Sequence, residues 1–503
     1  MRGTFNRGGG HPASSAAGPP AAGPSAVVVG GGVSGLVAAR ELAMSGMDVT
    51  VLEATERWGG CVGSHVVAGL TLDSGAESFA TRSTAVADLA RELGLGHKII
   101  APHPGGAWVQ LPDGPQELPK TGVLGIPANP WDPEVRRSLG FFGALRASAD
   151  RWLPASVATS SPVTSVSALV RTRMGRKVLD RLVAPVVGGV HSADPALLDV
   201  DMVAPGLRAG IRAHGSLAAA VAEQRKAARA SASQRKDSGL AKAGSAVAGL
   251  EGGMNTMVAA LIADLTTRGV KLRAGNAVRE VRQTADGWRI GTVDETFDAG
   301  RLVVALDGPA AIGLLEKSVP GLAELRPAPG PLVSLVTLVV DLPELDRRPR
   351  GTGVLVAPQT LGITAKALTH ATAKWDWLAN QAGPGNHVLR LSYGRREEAG
   401  GSADIVLDDQ SLLAAALEDA STLLTVPVTG ADVVDWDVVR WAGALPFAAV
   451  GHKERVAHVR ELCGAAPGLT VVGGWLAGNG LAAVVGDTRQ QASSVESGIH
   501  PKL

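Results

Sequence analysis

Only two cysteines, Cys61 and Cys463, occur in 503 residues, so no disulfide framework is indicated and a reducing cytoplasm is the simpler expectation. Aromatic residues make up 3% and tyrosine occurs once, at Tyr393, which leaves little material for an aromatic cage around a ligand. An excess of charge of one sign is also missing. With 48 basic and 47 acidic residues the net charge is +1, there is no global field to attract nucleic acid, and any basic site must be local. The eleven histidines show neither His-Glu-x-x-His nor Cys-x-x-Cys company, which argues against a metal site. No Gly-x-Ser-x-Gly elbow for acyl transfer is present. The longest apolar stretch, from Ala26 to Leu42, is broken by four glycines and meets Arg40-Glu41, so no transmembrane segment is expected. That leaves room for a peripheral membrane contact. Residues 1–24 are Gly, Ala, Pro and Ser with scattered Arg; they lack the apolar core of a signal peptide and read as a disordered arm.

What is present begins at Ala26. A strand, Ala26 to Val29, runs into Gly30, Gly31, Gly32, Val33, Ser34 and Gly35, then an Ala-rich helical stretch and a second strand ending at Leu52. Gly30 lets the chain turn sharply, Gly32 lets backbone approach a pyrophosphate, and Gly35 lets helix and sheet pack closely. The helix N-terminus then holds the phosphates. Glu53 follows the second strand, where its carboxylate suits the two ribose hydroxyls of an adenosine and repels a 2′-phosphate. This βαβ unit therefore binds a dinucleotide other than NADP. Arg57, Gly59 and Gly60 come next, a cation and two bare backbone positions beside the same pyrophosphate. NAD dehydrogenases do not usually need that second glycine pair. The run Glu-Ala-x-x-Arg-x-Gly-Gly resembles flavoproteins of the amine-oxidase type, which implies FAD.

At this length two or three subdomains are expected. Residues 84–94 and 165–187 read as helices by apolar spacing. Asp286-Gly287 between two strands signals a hairpin. Leu302 to Leu306 and Thr470 to Val472 are buried-type strands that return to the first sheet. Strand signals dominate from Pro331 to Arg395, where Val388, Arg390 and Ser392 share one face and Leu389, Leu391 and Tyr393 the other. Arg225, Lys226, Arg229, Arg235, Lys236 and Lys242 make residues 221–245 a basic, solvated loop or frayed helix. The fold expected is α/β: a Rossmann-like FAD-binding domain assembled from discontinuous segments (26–96, 246–308 and 436–503), a helical subdomain (97–220), the basic flexible loop (221–245) and a mixed-sheet substrate domain (309–435).

From Ala26 onward the chain resembles the oxygen-dependent protoporphyrinogen/coproporphyrinogen oxidase family of haem synthesis. The likeness rests on Glu77-Ser78-Phe79, Leu182-Val183-Ala184-Pro185, Gly351-Thr352-Gly353-Val354, Leu389 to Gly394, and above all Arg440-Trp441 with Leu445-Pro446 and Gly451-His452-Lys453. It implies FAD contacts at Gly30 to Gly35, Glu53, Ala54, Arg57, Gly60, Cys61, Gly75, Ala76, Glu77, Ser78, Val278, Trp441, Gly478, Gly480, Leu481 and Ala482. It implies substrate contacts near Arg82 and along Leu389 to Tyr393. His191 where a tyrosine is common, Gly-Asn-Gly-Leu-Ala-Ala at 478–483 in place of a usual Ile-Pro-Asp, and Ser392 in place of a bulkier residue are departures that touch the shape of the pocket.

A porphyrinogen is an apolar tetrapyrrole rimmed by carboxylates, so its site should be an apolar cleft with a few cations at the mouth: Arg82, Lys366 and Arg390, with Ser392 beside them. The flavin carries the redox chemistry, no protein acid or base is assigned, and the protein places a carbon near the flavin in a dry pocket. The expected reaction is coproporphyrinogen III oxidation with dioxygen, yielding hydrogen peroxide, with the next haem-pathway enzyme as a partner. Protoporphyrinogen IX oxidase, a flavin amine oxidase or carotenoid desaturase, and a non-catalytic flavin/porphyrin-binding protein are the competing readings.

Overall fold

The computed structural model describes residues 24–119, 123–234, 247–394, 407–443 and 448–497. The N-terminal arm as far as residue 23, Arg235, Lys236, Lys242 and the Leu445-Pro446 pair lie outside the described residues.

β1 (Ser25–Val29) owes its strand form to three successive valines, whose branched side chains suit a pleated surface. It sits at the centre of a five-stranded parallel sheet in the order Lys271–Arg273, β2 (Asp48–Leu52), β1, Arg301–Val304, Leu469–Val471. Three distant parts of the chain thus build one sheet, as expected. Parallel sheets are covered on both faces. Ala26 and Val28 pack with Leu36 and Val37 of α1 (Val33–Met44) in one core, while Val27 and Val29 pack with Trp288, Ile290 and Leu302 in another. Helices Asn255–Thr267 and Leu481–Ser497 flank α1 on the first side. A three-stranded antiparallel sheet, Glu280–Thr284, Gly287–Gly291 and Thr296–Ala299, covers the second. Its hairpin closes as expected, with Thr284 paired to Gly287; that glycine has φ +143°, and a Cβ there would lie 2.3 Å from the Ala299 carbonyl oxygen.

The mixed sheet has seven strands, ordered Val433–Ala442, Leu332–Asp341, Asn386–Tyr393, Ala367–His370, Gly353–Val356, Trp108–Leu111, Gly114–Glu117. Only the Gly353–Val356 and Trp108–Leu111 pair runs parallel. The last two strands come from the stretch assigned to the helical subdomain, so that stretch also supplies a sheet edge. Leu389, Leu391 and Tyr393 turn into one core with the helix Asp409–Leu424, and Val388 turns to the opposite side with Trp375 and Leu378.

The helical layer shows one difference from expectation. The helix read over 165–187 is broken at Gly175 (φ +94°), which caps Val166–Met174 by donating to the Val170 and Arg171 carbonyls. Its apolar spacing continues across the break, so periodicity alone hides it. The stretch 221–245, expected as a basic solvated loop or frayed helix, is helical as far as Gln234, because alanines dominate Leu217–Gln234 and alanine is the best helix former.

Candidate functional site

The glycine run meets β2 where a dinucleotide would lie. α1 opens at Val33; Gly32 offers no side-chain cap, and the first turn carries no acid. The first backbone N–H groups therefore keep their positive end for an incoming anion. A Cβ on Gly32 would meet nothing within 4 Å, whereas one on Gly35 would lie 1.8 Å from the Gly30 carbonyl oxygen. Gly32 thus leaves space, and Gly35 brings the helix onto the turn. Glu53 accepts from the Gly31 N–H (2.7 Å) and from the Thr55 N–H (2.9 Å) and hydroxyl (2.8 Å). A carboxylate has about four acceptor sites, so with three taken, capacity remains for a ribose hydroxyl. The Gly59 N–H donates to the Gly31 carbonyl at 2.8 Å, which holds the second glycine pair against the first; Arg57 and Ala54 are exposed beside it. Val278 is half-buried just past Lys271–Arg273, and the Asn276 N–H donates to the Glu53 carbonyl at 2.8 Å. Both features put Val278 close to Glu53.

The second element is the loop from Asp73 to Ser78. The Asp73 carboxylate accepts from the N–H groups of Met254 (2.9 Å) and Asn255 (3.0 Å), so it caps a helix 181 residues away. The Trp441 indole donates to the Ser74 carbonyl at 2.7 Å. Arg390 donates to the Gly75 carbonyl at 2.8 Å, and the Ala76 N–H to the Cys61 carbonyl at 2.9 Å. Burial would raise the Glu77 carboxyl, but the Lys374 ammonium and Arg390 guanidinium hold it down at about 2. This loop is tied to five separate segments. Beside it lies a shallow recess bounded by Leu72, Trp375, Trp377, Leu378, Val388 and Arg390.

Three further segments meet at the end of helix Ala184–His191. His191 Nδ1 lies 3.1 Å from the Asn479 side-chain amide, and burial, with Arg82 nearby, pushes its imidazole down to about 4. Ser192 follows with φ +51°, a left-handed conformation that costs a non-glycine residue energy and often marks a functional site. The Lys366 ammonium, on a fully buried side chain, donates to the Ser192 hydroxyl and to the Gly394 carbonyl (3.0 Å). Lys366 is held from behind. Asp419 accepts from the Thr364 (3.2 Å) and Ala365 (2.8 Å) amides and from the Tyr393 hydroxyl (3.2 Å). Gly478, Gly480, Leu481 and Ala482 lead into the C-terminal helix beside Asn479, with Ala482 buried against the α1 core.

Of the sequence candidates, Arg82 and Lys366 thus gather around His191–Ser192, with Arg82 exposed. Arg390 instead faces the Asp73–Glu77 loop, and Ser392 gives its carbonyl to the Lys366 N–H at 2.8 Å. Asp73, Lys374, Asp419 and Asn479 were not legible as site residues, since each acts through a partner far away in the chain. Among the described residues no group of three or more potential metal ligands occurs.

FAD fits these residues: the uncapped helix end, the open space at Gly32 and the remaining acceptor capacity of Glu53 match a pyrophosphate and a ribose. Residues 33–493 match the family model of flavin containing amine oxidoreductase. The chain is 30% identical to coproporphyrinogen III oxidase of Mycobacterium leprae over 90% of its length and 94% of that protein's. It is 26% identical to coproporphyrinogen III oxidase of Bacillus subtilis, covering 90% and 93%. A solved chain from Exiguobacterium sp. 255-15, described under the name protoporphyrinogen oxidase, superposes with a TM-score of 0.76 at 23% identity, covering 95% of this chain and 99% of that one. Likeness at that level speaks for the fold.

Proposed function

Because the chain belongs to the flavin containing amine oxidoreductase family and takes FAD, we propose that it oxidises coproporphyrinogen III to coproporphyrin III, with dioxygen as acceptor and hydrogen peroxide as product. The observation that carries this reading is the likeness to coproporphyrinogen III oxidases along nine-tenths of the chain. The macrocycle gives up six electrons and six protons, so three dioxygen molecules become three hydrogen peroxide molecules. Bound FAD supplies the two-electron acceptor that no side chain offers.

The chain's own residues supply placement. Exposed Arg82 meets a rim carboxylate at the cleft mouth, and Lys366 presents a second cation from within. His191 stays uncharged at neutral pH, and Asn479 fixes its ring, so a polar group without charge lines the wall between them. The clamped loop Asp73–Glu77 keeps the backbone beside the flavin from moving when substrate enters. The division into FAD-binding segments 26–96, 246–308 and 436–503, helical residues 97–220 and substrate residues 309–435 serves this reading. The protein works in the cytoplasm and passes its porphyrin to the next enzyme of haem synthesis. Among the described residues no helix is long and apolar enough to cross a membrane.

Comparing turnover of coproporphyrinogen III and protoporphyrinogen IX by porphyrin fluorescence tests the proposal, with the first expected to be the faster. Flavin that stays oxidised when either porphyrinogen is added without air sinks it in favour of a porphyrin-binding role. Flavin bleached by an amine and by neither porphyrinogen points to an amine oxidase.

A further inference from the structure

Two hydrogen-bonding groups that no described residue uses lie at the C-terminal end of helix Ala184–His191. The first is the Arg82 guanidinium. Arg82 sits in the turn between Phe79–Ala80 and helix Ala85–Glu92, exposed and without a partner among the described residues. The acids on either side of it in the chain are engaged elsewhere, Glu77 with Lys374 and Arg390, and Asp88 with Arg91. Arg82 is close enough for its charge to act on the His191 ring. The second group is Nε2 of that ring. Asn479 bonds Nδ1 at 3.1 Å, and with its amide donating there the neutral imidazole carries its proton on Nε2. Among the described residues Nε2 has no partner, and it is not sealed from solvent.

The ring is held from behind and open in front. Ser192, at φ +51°, accepts from the Lys366 ammonium, and Gly189 packs so closely on strand Gly353–Val356 that a Cβ there would lie 2.6 Å from Leu355 Cδ2. A Cβ on Gly478 or on Gly480, either side of Asn479, would meet nothing within 4 Å. Val190, 53% exposed, adds apolar surface beside the ring. The other charges near this helix are occupied: Lys366 by Ser192 and Gly394, Arg181 by Asp113, Arg176 by Asp180, and Asp194 by the Ala196 N–H. Arg82 alone of these keeps its donors.

We propose that His191 is a specificity-determining residue whose Nε2–H joins Arg82 in a two-donor fork for a single carboxylate of the substrate rim, the guanidinium supplying charge and the imidazole direction. One free cation beside one uncharged donor suits a monoanion, whereas a phosphate, with close to two charges, lacks a second free cation here. Burial keeps the ring uncharged at neutral pH, so it recognises by hydrogen bond and does not repel Arg82. A side chain without a donor at this position leaves Arg82 to bind alone. The inference rests on the porphyrinogen reading for the molecule that carries the carboxylate.

The test titrates the full-length, FAD-loaded protein with coproporphyrin III and with its tetramethyl ester, following porphyrin fluorescence. R82A and H191F should each weaken binding of the acid by about tenfold. In R82A/H191F the two losses should not multiply, because one carboxylate is shared. H191Q, which keeps a donor at the position, should hold most of the affinity, and the uncharged ester should lose far less than the acid in H191F. N479A, which frees the ring, serves if H191F fails to fold; it should weaken the acid and spare the ester. H191F that binds the acid as wild type does, losses that multiply in the double variant, or an ester that suffers as much as the acid each overturn the proposal and leave the porphyrinogen reading in place. Wild type that binds neither compound removes that reading, and the fork with it.

Discussion

Arg390 shares a strand face with Val388 and Ser392, a position that reads as a ligand cation, yet its guanidinium is taken up by the carbonyls of Asp73 (3.2 Å) and Gly75 (2.8 Å) and lies 3.3 Å from Glu77. Removing it leaves Glu77 buried with Lys374 as its remaining cationic neighbour among those that hold its carboxyl down, and that carboxyl should rise from about 2. The Asp73–Glu77 loop then loosens. Charged hydrogen bonds contribute about 1.5–3 kcal/mol each, so Arg390→Ala should weaken FAD binding by about tenfold or more. Flavin fluorescence on release measures this. A raised KM for porphyrinogen with FAD retained would show instead that Arg390 serves the substrate. Lys366 differs in kind, since Asp419 and Tyr393 hold the segment that carries it while its ammonium reaches Ser192.

Among the helices, stability concentrates where a charge is buried. Arg173 has no exposed surface; it bonds the Asp150 carboxylate at 2.6 Å and the carbonyls of Pro154, Val157 and Gly215. Asp150 in turn accepts from the Ala218 N–H at 2.9 Å, which ties the start of helix Leu217–Gln234 to the same point. Breaking a buried pair leaves an uncompensated charge, so Asp150→Ala should cost about 3–5 kcal/mol in denaturant unfolding. The double variant D150A/R173M should recover part of that loss. If D150A unfolds like wild type, the pair does not organise this layer. α1 is anchored in a similar way, with Arg40, 3% exposed, reaching Asp264 at 2.9 Å and Glu92 at 2.8 Å.

Across the whole molecule, buried histidines set the acid limit. Burial holds His370 at about 3, with His387 and Arg348 adding to the effect; burial and Arg82 hold His191 at about 4; His387 and His452 are also lowered, chiefly by burial. His370 and His387 are 3.0 Å apart, and His387 reaches Asp346 at 3.2 Å. In the unfolded chain each imidazole takes a proton near its ordinary value of about 6.5. Below that pH the unfolded state binds more protons, so stability is lost as pH falls from about 6.5 toward 4. Glu77 acts in the same direction at lower pH: its contribution is present above its ordinary carboxyl range and is lost as pH falls toward about 2. Between pH 8 and 5 the unfolding free energy should drop by about 2–4 kcal/mol, and His370→Asn should flatten the fall. A denaturation midpoint that stays constant over that range refutes this account.

Local spacing was enough to reveal the nucleotide unit. Gly30 to Gly35 and Glu53 fall within one βαβ turn, where backbone freedom and a single carboxylate do the work and no distant partner is required. Alternation likewise put Leu389, Leu391 and Tyr393 on one face, because strand geometry assigns faces by parity, but that this face turns into a core and not toward a substrate was decided by the helix packed on it. Helix spacing did not reveal the Gly175 break, since an apolar pattern can continue through a left-handed glycine. The couplings of Glu77 to Lys374, 297 residues apart, and of His191 to Asn479, 288 apart, belong to the tertiary structure. So does the hold of Arg390 on the Asp73–Glu77 loop. Each depends on which distant segment packs against a residue, and chain order carries no local signal for that.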